Sequence, residues 1–155
     1  MNSLGINVFL SPWIFYITMF KFLQPTYQFT AVEVIDLNPL WQRGIRGLIF
    51  DLDDTLTRKN SRVIAHEVRT WLEQAQELGF KCYIVSNNRH PNLVASVSQT
   101  LQMPAIARAG KPQARFFLKA LAEMELQPHE VVAIGDRLLT DVLGANLLGI
   151  HTCLV

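Results

Sequence analysis

The stretch GLIFDLDDTLT, residues 47–57, decides the fold. It opens with a short apolar run and continues into acidic residues at Asp51, Asp53 and Asp54. An apolar run of this kind, bounded by polar turn residues, is typical of a buried strand. Because the sites of open α/β sheets lie beyond the carboxyl ends of the strands, we expect Asp51 at such a site. Asp53 shares a face with Asp51 if the backbone stays extended, so both carboxylates can address it.

The rest of the chain alternates predicted strands and helices around this segment. After the strand Gly47 to Phe50, further strands are predicted at Lys81 to Val85, Ala105 to Ala107, Val131 to Ile134 and Ile150 to Val155. Helices are predicted up to Gly44, over Ile64 to Leu78, from His90-Pro91, from Lys111-Pro112 with the face Phe117, Leu118, Leu121 and Ala122, and over Leu138 to Leu148. Such alternation indicates a three-layer, Rossmann-like α/β fold with a five-stranded, mostly parallel sheet.

Composition excludes several classes of protein. The 155 residues suffice for one core, half of them are hydrophobic and 17% are charged, which excludes a disordered chain. Because 14 basic residues nearly balance 13 acidic ones, we expect no nucleic-acid partner bound through bulk charge. Cys82 and Cys153 lack metal-ligand spacing, so we interpret both as buried thiols of a reducing, cytoplasmic compartment.

The first 20 residues form an apolar extension without a charged side chain, ahead of a domain expected over residues 21–155. No basic residue precedes the apolar run, so it is a poor secretory signal. Asn7, Ser11 and Pro12 interrupt the run, which argues against a membrane span. Three interpretations stay open: an interfacial anchor, a helix packed on the domain, or upstream sequence if Met19 is the true start.

Polar residues follow three of the predicted strands. They are Asp51 and Asp53 after the first, Ser86, Asn87 and Asn88 after the second, and Asp136 with Asp141 after the fourth, while Lys111 adds a cation at a helix start. Carboxylates that converge at one edge repel each other unless a cation compensates, and oxygen ligands favour Mg²⁺. The sequence therefore predicts a magnesium site.

The order of these residues resembles the four motifs of the haloacid dehalogenase (HAD) superfamily of hydrolases. The resemblance implies a phosphatase in which Asp51 is the nucleophile and Asp53 the general acid and base. It implies that Ser86, Asn87 and Lys111 bind the phosphoryl group, and that Ser86 and Lys111 also serve catalysis. It assigns the Mg²⁺ to Asp51, Asp53 (through its main-chain carbonyl), Asp136 and Asp141. Asp54 is expected to stabilise the turn.

Two short connections suggest that the domain has no cap. Leu56 to Val63 and Lys111 to Glu130 occupy the places where HAD enzymes commonly insert one, and neither segment is long enough. Four segments, Phe50 to Leu56, Ile84 to Asn88, Ala109 to Pro112 and Ile134 to Val142, look like the subfamily (HAD IIIA) that includes phosphatidylglycerophosphate phosphatases. This closer resemblance implies a lipid headgroup as substrate, a role in phospholipid metabolism and peripheral membrane contact.

A set of basic residues leaves the choice of substrate open. Arg58, Lys59, Arg62, Arg89 and Arg137 lie near predicted strand ends, where they form either a solvated rim or a guide for an anionic headgroup. The four histidines show no metal spacing and are expected to be non-catalytic. Alternatives are a capless phosphatase for a sugar, amino-alcohol, nucleic-acid-end or phosphoprotein substrate, and a non-catalytic membrane-associated scaffold.

Overall fold

A six-stranded parallel sheet forms the centre of the protein. The structure is a computed structural model that describes residues 20–155, so the apolar extension lies, up to Met19, outside the described residues. The strands are β1 (Tyr27–Gln28), β2 (Gly47–Phe50), β3 (Lys81–Val85), β4 (Ala105–Ile106), β5 (Val131–Gly135) and β6 (His151–Leu154). Their order across the sheet is β1-β6-β5-β2-β3-β4.

The register of the sheet brings three strand ends to the same level. Phe50, the last residue of β2, pairs with Ile84 of β3 on one side and with Ile134 of β5 on the other. All three strands run parallel, so the loops that follow them leave the sheet at one edge. This shared edge is where the polar residues predicted from the sequence emerge.

Helices cover both faces of the sheet. They are α1 (Leu37–Gln42), α2 (His66–Glu77), α3 (Pro91–Leu101), α4 (Arg115–Met124) and α5 (Leu143–Asn146), with a single π-helical turn, Leu138–Val142, directly before α5. One core cluster contains Leu48 and Phe50 together with residues of α1, α2 and α3, and the other contains Ile49 and residues of α4 and α5. Successive residues of β2 thus point into opposite cores, which explains why the whole strand is apolar. The predicted three-layer α/β architecture is confirmed.

The predicted number of strands is wrong, because the sheet has six rather than five. The missed strand is β1, whose two residues pair with Cys153 and Leu154 of β6 at the sheet edge. A two-residue strand shows no periodicity in sequence, and it is recognisable only by its partner. Between β2 and α2 the chain makes turns and isolated bridges of Thr57 with Asp53 and Ile64. The absence of a cap stays a prediction.

The helix predicted from Lys111-Pro112 begins later than expected and presents a different face. α4 starts at Arg115, and its buried residues are Phe117, Ala120, Leu121 and Met124. Leu118 is half exposed, and Ala122 is also on the solvent side, so the predicted face was wrong for both. The true face follows the i, i+3, i+4, i+7 spacing of a helix packed on a sheet.

Both cysteines are buried and unpaired, which confirms their interpretation as buried thiols. In the part of the chain that the structure describes, no helix combines the length and the apolar character needed to cross a membrane.

A buried threonine fastens the edge strand β1 to the sheet. The Thr152 hydroxyl accepts a hydrogen bond from Thr26 N at 3.1 Å and donates to Asn146 Oδ1 at 3.0 Å. Thr152 N donates to Thr26 Oγ1, and the Asn146 amide donates to the carbonyls of Phe22 and Gln24. The segment before β1 is therefore held through side chains of the last α-helix and strand.

We predict that Thr152→Val lowers the free energy of unfolding by about 1–2 kcal/mol. Valine keeps the shape of the side chain, but it leaves the donor Thr26 N and the acceptor Asn146 Oδ1 without their partner. Urea denaturation measures the change. The control Thr100→Val removes a hydroxyl bonded to Ser96 O on the exposed side of α3 and should change stability by less than about 0.5 kcal/mol. Equal losses in the two variants would contradict the proposed fastening role.

Candidate active site

A buried lysine joins two aspartates at the shared strand edge. Lys111 Nζ donates to Asp51 Oδ1 at 2.7 Å and also to Asp141 Oδ1. Lys111 and Asp141 are only 6% and 4% exposed, so both charges are largely removed from water. Asp51 follows β2 directly, and Asp141 lies in the π-helical turn after β5. The structure thus brings together three of the predicted site residues.

A fourth residue, Asp136, completes an acidic cluster. Carboxylate oxygens of Asp51, Asp136 and Asp141 all lie within 4.8 Å of one another. Asp136 Oδ1 is buried and has no hydrogen-bond partner among residues 20–155, while Asp136 Oδ2 is 3.5 Å from Arg137 Nε. Three carboxylates thus meet two cations, the buried Lys111 beside Asp51 and Asp141 and the exposed Arg137 beside Asp136, which leaves an excess of negative charge at the cluster.

The pKa values of two of these carboxyl groups are raised, first by burial and then by a neighbouring carboxylate. Burial raises the pKa of Asp51 above its ordinary value, and the neighbouring Asp141 adds to the rise, although Lys111 opposes it. Burial also raises the pKa of Asp136, and the charge of Asp51 adds to the effect. A cation bound among these oxygens would remove this cost. The oxygen-only donor set and the unpartnered Asp136 Oδ1 fit a hard divalent ion.

The Asp53 carboxylate is not one of the three in this cluster. Its Oδ1 accepts from Asn60 N at 2.7 Å, and its Oδ2 accepts from Asn88 Nδ2 at 2.8 Å. Both oxygens are therefore fixed by neighbouring loops. Its predicted place in the metal site accordingly concerns the main-chain carbonyl and not the side chain. Asp54 has a φ of 60° and accepts from Lys59 N, in keeping with its predicted turn role.

The loop after β3 positions both halves of the site. Asn87 Oδ1 accepts from Lys111 N at 2.8 Å, and Asn87 Nδ2 donates to Lys111 O at 3.1 Å. This pair of hydrogen bonds fixes the main chain that carries the lysine. Ser86 is completely buried, and its hydroxyl oxygen accepts from Asn88 N at 3.0 Å. The predicted contact of Ser86 with a phosphoryl group stays a prediction.

A cleft of about 270 Å³ lies over these residues. It is lined by Asp51, Asp53, Lys59, Asn60, Asn87, Asn88, Arg89, His90, Lys111, Arg137 and Thr140. Three of the five predicted rim residues therefore face the cleft, whereas Arg58 lines a different hollow. His90 also lies at the cleft, a position that its sequence context does not predict.

Gly135 allows the acidic cluster to form. A Cβ atom at this position would lie 2.6 Å from both Cβ and Oδ2 of Asp141, closer than non-bonded atoms approach. Any side chain would therefore push Asp141 away from Lys111. This steric restriction explains why β5 ends in a glycine directly before Asp136.

Two site residues were missed by sequence reasoning. Asn60 and Asn88 hold Asp53, and the Asn88 amide also donates to Asn60 Oδ1 at 3.2 Å. Asn88 belongs to the polar run that follows β3, and this position after a strand end is a signal that could have identified it as a site residue. Asn60 lies in a turn and carries no such signal.

A parallel sheet that gathers an aspartate nucleophile candidate, a lysine and a late acidic pair at one edge is the arrangement of HAD-like hydrolases. Family models agree: the model for haloacid dehalogenase-like hydrolases matches residues 48–112, and a HAD-hydrolase-like model matches residues 108–155. "Probable phosphatase YqeG" of Bacillus subtilis (strain 168) is 39% identical over 135 residues, which cover 87% of this chain and 78% of that protein. This chain belongs to the HAD-like hydrolases, in the same family as the Bacillus protein. The predicted HAD-type phosphatase, a phosphoric monoester hydrolase, is confirmed at the level of the family.

Solved structures support the same fold. A haloacid dehalogenase-like hydrolase from Brucella suis 1330 matches with a TM-score of 0.62 at 14% identity, covering 78% of this chain and 92% of that one. A HAD phosphatase from Thermococcus onnurineus matches with a TM-score of 0.53 at 25% identity, covering 59% and 46%. The closer resemblance to phosphatidylglycerophosphate phosphatases is not confirmed by these comparisons.

We predict that Lys111→Met lowers the free energy of unfolding by about 3 kcal/mol, because it leaves two buried carboxylates without their cation. Adding Asp51→Asn should recover part of this loss, since it removes one of the uncompensated charges. Chemical denaturation of the single and double variants measures the coupling.

Lys119→Met is the control, because Lys119 is exposed and forms an ion pair with Glu123 at 3.6 Å. Its effect should stay below about 0.5 kcal/mol. Strictly additive effects of Lys111→Met and Asp51→Asn would show that the buried ion pair does not stabilise the fold.

Proposed function

We propose that this protein is a magnesium-dependent phosphomonoester hydrolase that acts through an aspartyl-phosphate on Asp51. The observation that carries the proposal is the buried Lys111 that bonds Asp51 at the base of the cleft, with Asp53 two residues away and facing the same cleft. A carboxylate nucleophile beside a fixed cation, with a second carboxylate at hand, suits two-step phosphoryl transfer.

Each residue has a separate task in this reaction. A carboxylate oxygen of Asp51 attacks phosphorus and forms an acyl phosphate, while the bond from phosphorus to the alcohol oxygen breaks. Asp53 gives its proton to that departing oxygen and then takes one from the water that attacks the acyl phosphate, which releases phosphate and regenerates Asp51. Lys111 balances charge on the phosphoryl oxygens, as a preorganised group can do without rearrangement.

The acidic cluster supports the magnesium requirement. Asp51, Asp136 and the main-chain carbonyl of Asp53 would hold the ion, and Asp141 would assist from beside Lys111. Bound there, Mg²⁺ would offset the negative charge of the nucleophile and of the incoming phosphate. HAD phosphatases generally use this ion, and the family membership makes the same expectation for this chain.

A lipid headgroup phosphate, that of phosphatidylglycerophosphate, is the proposed substrate, and phosphatidylglycerol is the product. Exposed Lys59, Arg89 and Arg137 line the cleft, and a cationic cleft suits an anionic headgroup held at a membrane surface. The four segments that resemble the subfamily of phosphatidylglycerophosphate phosphatases also favour this substrate. Peripheral membrane contact is part of the same proposal.

We predict that the purified full chain hydrolyses phosphatidylglycerophosphate in mixed micelles faster than glycerol 3-phosphate at equal Mg²⁺. Asp51→Asn should reduce the rate by at least about a thousandfold, because the nucleophile is lost, while thermal unfolding shows the fold retained. Asp54→Asn is the matched control, since Asp54 serves a turn outside the cleft and an asparagine can keep its hydrogen bond.

The outcomes separate the alternatives. Comparable low rates on the lipid and on soluble phosphomonoesters would assign the enzyme to another substrate. No hydrolysis of any phosphomonoester by the unaltered protein would leave the scaffold alternative in place of the enzyme.

We predict that Asp136→Asn stabilises the protein at neutral pH when divalent ions are chelated. The raised pKa of Asp136 means that the folded protein binds more protons than the unfolded chain from pH 3.8 upward, so stability falls as pH rises through this window. Removing the charge should raise Tm at pH 7 and flatten its decline. Mg²⁺ should then raise the Tm of the unaltered protein more than that of the variant.

Thermal unfolding between pH 4 and pH 8, with chelator or with Mg²⁺, measures both effects. Glu73→Gln, which neutralises an exposed carboxylate of α2, is the control and should leave the profile unchanged. If the Asp136→Asn protein has a lower Tm than the unaltered protein at pH 7 in the presence of chelator, the charge of Asp136 does not destabilise the fold and the prediction is wrong.

A further inference from the structure

A second hollow of about 430 Å³ lies beside the catalytic cleft, lined by Asn87, Arg89, Arg108 and Gly110, and we call it the arginine pocket. It shares Asn87 and Arg89 with the catalytic cleft, so the two adjoin at the loop after β3. No step of the mechanism above uses Arg89 or Arg108. The pocket therefore needs an explanation of its own.

Hydrogen bonds hold the two arginines next to each other. Arg108 N donates to Asn88 O at 3.1 Å, and Arg108 Nε donates to Arg89 O at 3.2 Å. Arg108 also has a φ of +53°, a conformation that is uncommon for a residue with a side chain. The fold thus directs the Arg108 side chain along the main chain of Arg89, and both arginines line one hollow, at a cost in backbone strain at Arg108.

No carboxylate in the lining of the pocket compensates these charges, and the acceptor of Arg108 Nε is a neutral carbonyl. None of its four residues is acidic, and within residues 20–155 no ion pair involves Arg89 or Arg108. Two guanidinium groups in one hollow form a set of planar donors that matches the oxygens of a phosphate or phosphodiester. An anion bound in this hollow would supply the charge partner that both arginines lack within residues 20–155.

We propose that the arginine pocket is a subsite for a second phosphate group, carried by the same substrate whose terminal phosphate reacts at Asp51. The inference rests on the proposed function and sharpens it: the preferred substrate carries two phosphate groups, the second a diester or monoester held by Arg89 and Arg108. These two residues determine specificity and take no part in the chemical step. A phosphodiester of a lipid headgroup and that of a free soluble headgroup share this chemistry.

Kinetics with matched substrates test the subsite on the full chain with Mg²⁺. Glycerol 3-phosphate carries one phosphate, and glycerophosphoglycerol phosphate carries a monoester and a diester. Arg89→Ala and Arg108→Ala should each raise KM for the second compound about tenfold, the loss of one charge-assisted contact, with kcat kept within twofold. For glycerol 3-phosphate, Arg108→Ala should change kcat/KM by less than twofold, because Arg108 does not line the catalytic cleft.

Arg69→Ala removes an equal charge from α2, outside both hollows, and should leave all constants unchanged. Thermal unfolding of the Arg89→Ala and Arg108→Ala proteins checks that these two exposed arginines do not contribute to the stability of the fold. Equal losses of kcat/KM on both substrates would overturn the inference, because the arginines would then act on the reacting phosphate. Phosphatidylglycerophosphate in mixed micelles shows whether the two-phosphate compound is used best as a lipid or as a free headgroup.

A binding measurement separates this inference from the proposed function. Glycerophosphoglycerol, which has the diester and no reacting phosphate, should bind the Asp51→Asn protein in calorimetry and lose about tenfold in affinity with Arg89→Ala. Arginine-dependent binding supports the subsite even if the unaltered protein hydrolyses no phosphomonoester. Binding that is absent, or that does not depend on Arg89 and Arg108, overturns the subsite even if the protein is an active phosphatase.

Discussion

The hydrogen bonds from Lys111 to Asp51 and Asp141 are the interaction on which the site depends, because they join three segments that are far apart in the chain. Asp51 ends β2, Asp141 lies in the turn after β5, and Lys111 comes from the loop between β4 and α4. Ions buried at such a junction are costly unless each finds its partner. The arrangement of the strand ends is thus tied to the electrostatics of the site.

The same buried group explains why one cation is insufficient. Lys111 donates to two carboxylates, and Asp136 adds a third, whose Oδ1 has no hydrogen-bond partner in the described part of the chain. Burial is the largest cause of the raised pKa values of Asp51 and Asp136, and a neighbouring carboxylate raises each of them further. Folding therefore builds a site that is electrostatically incomplete, and a bound divalent ion together with an anionic substrate would complete it.

The layers of the fold could be predicted from the sequence, because hydrophobic patterning identifies both kinds of element. An uninterrupted apolar run predicts a buried strand such as β2, and helical spacing of apolar residues predicts a helix such as α2. The sequence was insufficient where structure depends on a distant partner. β1 exists only because β6 offers an edge, and Leu118 is exposed because α4 packs on the sheet with a face shifted from the expected one. Aspartates at strand ends were predictable, whereas the contact of Asn60 with Asp53 depends on a turn conformation that no periodicity encodes.

Consecutive asparagines after β3 show how one short loop can serve two chemical tasks. Side chains of neighbouring residues in an extended segment point in opposite directions, so Asn87 reaches the main chain of Lys111 while Asn88 reaches the Asp53 carboxylate. The loop thereby fixes the lysine beside the nucleophile and the proposed proton donor at the same time. Its next residue, Arg89, lines both hollows, so the rigidity that orients the reacting groups also sets their position relative to the arginine pocket. A substrate that spans the two hollows would therefore meet groups that are already in place, and such preorganisation lowers the entropic cost of binding without requiring the protein to close around it.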